Sequence, residues 1–213
     1  MFRLIRRLFL GLLFVLLVVA AAGGWWWLRS PDPSYAVYET VFHERFHRYD
    51  ALIEDAARRH VVDPMIVKAV AWRESRFQPE KVGGEGERGL MQITDAAARE
   101  WAKGEKRADF VPTDLFDPKV NIEAGTWLLA RALRRYEGKN DPLPFALAEY
   151  NAGRSRVVRW TGERTDGRGD AGVQPTPGVT SQELEARIDI ADTRAYIRTV
   201  RDRVQFYHQR GRF

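Results

Sequence analysis

From Leu8 to Leu28 the chain reads LFLGLLFVLLVVAAAGGWWWL, without one charged residue. A helix that spans the hydrocarbon core of a bilayer needs about 20 apolar residues, and this run meets that length. The residues before it, MFRLIRR, are basic. Arg3, Arg6 and Arg7 predict that the N-terminus stays in the cytoplasm and that the chain after the run lies across the membrane. Trp25, Trp26 and Trp27 suit the far interface, where indole rings settle. Ala20-Ala21-Ala22 offers a competing reading, the small-residue cleavage site of a secretory signal. The length of the run and its Trp belt favour an uncleaved, single-pass inner-membrane anchor. Both readings export the rest of the chain, and Ser30-Pro31-Asp32-Pro33-Ser34 is a short linker to it.

Charge then narrows the partners. The net charge is +5, but Arg3, Arg6, Arg7 and Arg29 flank the apolar run, and without them the remainder carries only +1. A phosphate-binding surface has little support in that balance, so no nucleic-acid partner is expected. There is no cysteine. That excludes disulfides, thiolate metal ligands and a lipid-modified N-terminal cysteine, and it is compatible with any compartment, including an oxidising one.

Past the linker the pattern is helical. Val37, Val41, Phe42, Phe46, Tyr49, Leu52, Ile53, Ala56 and Ala57 recur near helical spacing and predict one amphipathic helix over 35–60. Asp63-Pro64 and Asp117-Pro118 are helix starts, with Asp as N-cap and Pro at the first position. The first opens a helix through MIVKAVAWRES. The second opens KVNIEAGTWLLARALRRYEG, stopped by Gly138. Pro79, Gly83, Gly84 and Gly86 make 78–88 a loop. Thr94 or Asp95 caps a helix through Trp101. Helical stretches follow at FALAEYNAG, at 154–160 and at 192–208. Residues 161–180 read as a mobile Gly/Pro-rich loop, and Thr180 with Glu183 has capping-box spacing. No run alternates like a strand. The fold class is mostly α, one core behind a membrane helix.

Two clusters are candidates for chemistry. His43-Glu44-Arg45-Phe46-His47 matches H-E-x-x-H, in which two histidines one turn apart bind zinc and the Glu activates water. No third ligand follows in a recognisable extension, and Arg45, Arg48 and Asp50 give the segment a solvated face. It is read as two surface histidines, with no metal and no cofactor expected. Glu74 closes an apolar helix, before Ser75, Phe77 and a polar loop. A carboxyl group desolvated there has a raised pKa and makes a competent general acid at neutral pH. An isolated Glu is more often a solvated charge.

The order of motifs decides between these. Asp63-Pro64, Glu74-Ser75-Arg76-Phe77, Gly89-Leu90-Met91-Gln92, Asn121-Ile122 with Gly125 and Leu128, Ala148-Glu149-Tyr150-Asn151-Ala152-Gly153, and Thr193-Arg194-Ala195-Tyr196-Ile197 follow one another. In that order the chain resembles the soluble lytic transglycosylase (SLT-type) catalytic domain, from about Val61 to Tyr207. The resemblance implies a goose-type lysozyme-like fold. It divides the chain into a membrane anchor or signal segment (1–29), a linker with a leading helix (30–60) and a catalytic domain (61–213).

The resemblance also implies roles. Glu74 is the catalytic acid and base, and Tyr150 faces it. Gln92, Met91, Gly89, Asn151 and Ser75 form the sugar groove, with Met91 as apolar wall and Gly89 as tight turn. The implied partner is the glycan strand of peptidoglycan, cut in the periplasm at the MurNAc-GlcNAc β-1,4 bond to leave 1,6-anhydroMurNAc ends. The alternatives are a muramidase of the same fold that uses water, a non-catalytic glycan-binding wall protein and, remotely, a zinc protease. Departures from the family pattern cluster in one loop. Gly83 stands where many members carry Ser, and Glu87 where Ala is common. Farther on, Asp192 stands where Glu usually opens the last motif.

Overall fold

The structure is a computed structural model and describes residues 2–29, 37–39, 41–162 and 178–210. It divides into two compact units, residues 1–48 and 49–213. The first holds helix α1 (Phe2–Arg29) and the single turn α2 (His43–His47). Within α1, Ile5–Trp25 is long and apolar enough to cross a membrane, and that stretch is exposed along its length.

The second unit is a cluster of helices: α3 (Asp50–His60), α4 (Pro64–Ser75), α5 (Asp95–Gly104), α6 (Pro118–Arg135), α7 (Leu143–Ala152), α8 (Arg154–Thr161), α9 (Ser181–Arg187) and α10 (Ala191–Arg210). One 3-10 turn, Pro112–Phe116, precedes α6. Among the described residues no strand forms. Only isolated bridges, Val82 with Arg88 and Arg88 with Ile93, pin the loop between α4 and α5.

Helix starts follow local chemistry. The Asp63 carboxylate accepts from the Met65 N–H at 2.8 Å, and Asp117 accepts from Lys119 and Val120. Each satisfies donors that the first turn leaves open. Thr94 caps α5 through Ala97, and Thr180 with Glu183 forms the capping box of α9. Residues 163–177, most of the expected mobile loop, lie outside the described residues.

Two expectations meet a different outcome. The helix over 35–60 is interrupted: α2 ends at His47 and α3 begins at Asp50, whose charge suits a new N-terminus. α6 ends at Arg135 rather than at Gly138, because Tyr136 leaves the helix with φ −106° and turns inward until its ring is 1% exposed.

The burial pattern orders the cluster. A helix apolar on every side belongs at the centre. In α7, Phe145, Ala146, Leu147 and Ala148 are all fully buried. In α4, Val67, Ala69, Val70 and Ala71 are fully buried, and even Lys68 is 1% exposed, paired with Asp50 at 2.6 Å. Burying a side chain the size of Phe145 or Leu147 stabilises by about 2 kcal/mol. α10 packs against both α4 and α7, α6 packs on α7 and on α3, and α5 lies on α6. A polar residue in the last turn of a central helix therefore emerges where the core opens to solvent. Glu74 and Tyr150 occupy such last turns, in α4 and in α7.

Candidate active site

The last turns of α4 and α7 open into a groove of about 820 Å³, whose lining includes Glu74, Gly83, Glu87, Gln92, Tyr150 and Asn151. Glu74 is partly exposed to it. Burial is the leading influence on its carboxyl group and pushes the pKa from 4.5 up to about 7. The negative end of the α4 dipole acts in the same direction. The Tyr196 hydroxyl, Arg73 and Lys81 pull it down, and the Glu87 charge raises it further. Among the described residues, none forms an ion pair with the Glu74 carboxylate.

The backbone after Glu74 is unusual. Arg76 and Phe77 both have positive φ, 52° and 57°, and Gln92 across the loop has 48°. A non-glycine residue held there costs about 1–2 kcal/mol. The surroundings impose it: the Arg76 N–H donates to the Trp72 carbonyl at 2.9 Å, and Phe77 is 1% exposed. The double left-handed step turns the chain away at once from the end of α4. Lys81 reaches back and donates to the Glu74 carbonyl.

The Tyr150 hydroxyl donates to the Met91 carbonyl at 2.9 Å. Burial and then the Glu74 charge push its pKa well above the ordinary tyrosine range, so it stays protonated. Gln92 bridges its own loop, its Nε2 donating to the Lys81 and Gly89 carbonyls at 3.0 Å each. The exposed Asn151 accepts from the Thr193 hydroxyl at 2.8 Å.

The other three expected site residues frame the groove without lining it. Met91 is fully buried and contributes its carbonyl rather than its thioether. Its side chain packs on Gly125, where a Cβ would lie 2.9 Å from the Met91 Cβ. Gly89 has φ +78°, and a side chain there would strike Asn121 and the Leu115 carbonyl. Ser75 is 1% exposed; its hydroxyl donates to the Ala71 carbonyl and accepts from the Gln78 N–H.

Two further residues belong to this geometry. Tyr196 of α10 is 1% exposed, and its hydroxyl lies close enough to favour the Glu74 carboxylate without forming a well-aligned hydrogen bond. The signal was the TRAYI stretch, which hydrophobic periodicity assigns to packing. Asn121 is fully buried and holds the loop to α6: it accepts from the Met91 N–H and donates to the Arg88 and Leu115 carbonyls, all within 2.9 Å. In the other unit, the His43 and His47 rings are 4.6 Å apart. Among the described residues no group of three His, Cys, Asp or Glu is placed to hold a metal.

The family model described as the Transglycosylase SLT domain matches residues 51–171. The chain is 39% identical to Membrane-bound lytic murein transglycosylase F of Desulfosudis oleivorans over 123 residues, 54% of this chain and 25% of that protein. It is 28% identical to Membrane-bound lytic murein transglycosylase C of Shigella sonnei over 174 residues, 78% of this chain and 48% of that one. The chain thus spans half or less of the length of these relatives. In fold it is similar to the 70 kDa soluble lytic transglycosylase of Escherichia coli, with TM-score 0.63 and 26% identity, covering 76% of this chain and 24% of that one. The mostly helical, lysozyme-like expectation is borne out by this likeness.

Proposed function

Because the chain belongs to the Transglycosylase SLT domain family, we propose that it is a lytic transglycosylase that cleaves peptidoglycan glycan strands, with Glu74 as its single acid and base. The observation that carries this reading is a groove carboxyl group, without an ion pair among the described residues, whose pKa is pushed up to about 7. Such a group is protonated in a useful fraction at neutral pH and, once it has given its proton away, basic enough to take one back.

Glu74 protonates the glycosidic oxygen between N-acetylmuramic acid and N-acetylglucosamine. The N-acetyl oxygen of the substrate steadies the oxocarbenium-like centre, in place of the second carboxylate of ordinary glycosidases. The Glu74 carboxylate then takes the proton of the C6 hydroxyl, and that oxygen closes on C1 of the same sugar. The proton count returns to its start and no water is consumed. An intramolecular nucleophile carries a large proximity advantage over bulk water. Tyr150 keeps its proton on the Met91 carbonyl and presents its oxygen to the groove, while Gln92 and Asn151 contact sugar. Met91, Gly89 and Ser75 hold the backbone on which these side chains stand.

The domain arrangement follows the same reading: α1 anchors the chain in the inner membrane as a single span, and the unit beginning at Tyr49, α3 included, works in the periplasm. Protease added to spheroplasts should digest that unit and spare α1; full protection would overturn the orientation. The activity is tested by digesting purified sacculi and weighing the products. Anhydro ends, one water lighter than reducing ends, are expected. Reducing ends would make the protein a muramidase, and no release would remove the enzymatic reading.

A further inference from the structure

The loop from Val82 to Arg88, closed by the bridge between those two residues, lines the groove through Val82, Gly83, Gly84, Glu85 and Glu87. Inside it the Gly83 N–H donates to the Glu87 carbonyl at 2.8 Å, and the Glu85 N–H donates to Glu87 Oε2 at 3.0 Å. The Glu87 side chain is therefore folded back over its own loop instead of extending into solvent. It ends where a side chain at position 83 would begin. A Cβ built on Gly83 would overlap Glu87 Oε2 and lie 3.0 Å from the Glu87 Cδ and from Gln92 Oε1. Gly83 does not have the left-handed backbone that demands glycine elsewhere in this loop. The missing Cβ there serves space, and Glu87 occupies the space.

We propose that Gly83 leaves room for the Glu87 carboxylate to stand in the groove wall beside Glu74, where it accepts hydrogen bonds from hydroxyl and amide N–H groups of the glycan. Carboxylate acceptors make stronger hydrogen bonds than neutral ones. The loop holds this carboxylate in place before substrate arrives, which lowers the ordering cost of binding. Glu87 is thus a substrate-positioning residue, and position 83 sets whether it can act. Its charge also bears on Glu74, which is faced by Tyr196 from α10, Tyr150 from α7, Arg73 on its own helix and Lys81 from the loop. Of these neighbours, Glu87 is the one whose charge raises Glu74.

The inference rests on the groove being a glycan site, and the test separates the two. Glu87→Gln, Gly83→Ala and the double variant are made in the full chain, with the exposed Glu80→Gln as control. Gly83→Ala should fold, because the atoms it meets are the far ends of the flexible Glu87 and Gln92 side chains. Each single change should raise KM for solubilised glycan strands about tenfold, and the double variant should be no worse than either. Sites that act through one another show such non-additivity. Glu87→Gln should also move the alkaline limb of the activity profile to lower pH, which a structural role would not do. Unchanged KM in both singles, or multiplicative effects in the double, would overturn the inference. If the wild type releases no anhydro product, the proposed function fails instead. Binding of glycan fragments to Glu74→Gln chains, measured by calorimetry with and without Glu87→Gln, then decides this inference alone: tenfold weaker binding supports it, and equal binding ends it.

Discussion

Glu74 and Glu149 both line the groove, both close a central helix and both stand beside a tyrosine. Their partners differ. Glu149 is 9% exposed, forms an ion pair with the equally buried Arg135, and accepts from the Tyr136 hydroxyl at 2.8 Å. Glu74 has no ion pair among the described residues, and burial pushes its pKa up. A buried carboxylate with a cation and a donor is a structural joint. A desolvated carboxyl group without a counter-charge is protonated in a useful fraction at neutral pH and is available for chemistry.

The largest effects should come from exchanging the two carboxyl groups for amides. Glu74→Gln should lower muropeptide release about 1,000-fold while the melting temperature stays level or rises. Glu149→Gln leaves Arg135 buried without its counter-charge. It should cost about 3 kcal/mol and lower the melting temperature on the order of 10 °C, readable by circular dichroism. Matching losses of stability in both variants would erase the distinction.

The next effect is in pH. A folded-state pKa near 7, above the ordinary 4.5, means that the folded chain binds the Glu74 proton more tightly than the unfolded chain. Stability from this group is complete below about pH 4.5 and declines as pH rises through 7, by up to about 3 kcal/mol. Urea melts at pH 5 and pH 8 should show the wild type losing ground to Glu74→Gln, and the alkaline limb of activity should fall near pH 7. A gap between the two proteins that does not widen with pH would place Glu74 in ordinary solvent.

The tyrosines sharpen the contrast at smaller scale. Tyr150→Phe removes a hydroxyl from the groove and should slow release about tenfold with little change in melting. Tyr136→Phe removes a donor from Glu149 and should cost about 1 kcal/mol, with activity per folded molecule intact. Reversed outcomes, read from rates and melts of the two variants, would exchange the roles assigned to the two helix ends.

Much of this was legible in the chain because caps are local. Asp63, Thr94, Asp117 and Thr180 act within three residues of themselves, and each starts a helix as expected. The fold class followed from the absence of alternation, and Glu74 and Tyr150 from motif order. What escaped was set by distant partners. Tyr136 ends α6 early because Glu149 lies thirteen residues on. Tyr196 looks like packing until α10 is laid beside α4. Asn121 reads as one more helix residue, although its amide joins segments 30 and 33 residues away. Met91 suggested an apolar wall, and its thioether is in the core. The chain also gave no sign that the Glu87 side chain fills the place left at Gly83.

The groove is framed largely by main-chain carbonyls. Tyr150 leans on that of Met91, Gln92 on those of Lys81 and Gly89, and Lys81 on that of Glu74. Every amino acid carries the same carbonyl. The acceptors that hold Gln92 and Tyr150 are therefore independent of the side chains at positions 81 and 91. The side chains that reach into the groove have no such cover, so selection on them can act with the scaffold held constant. A groove built this way can alter what it grips without first having to rebuild the hand.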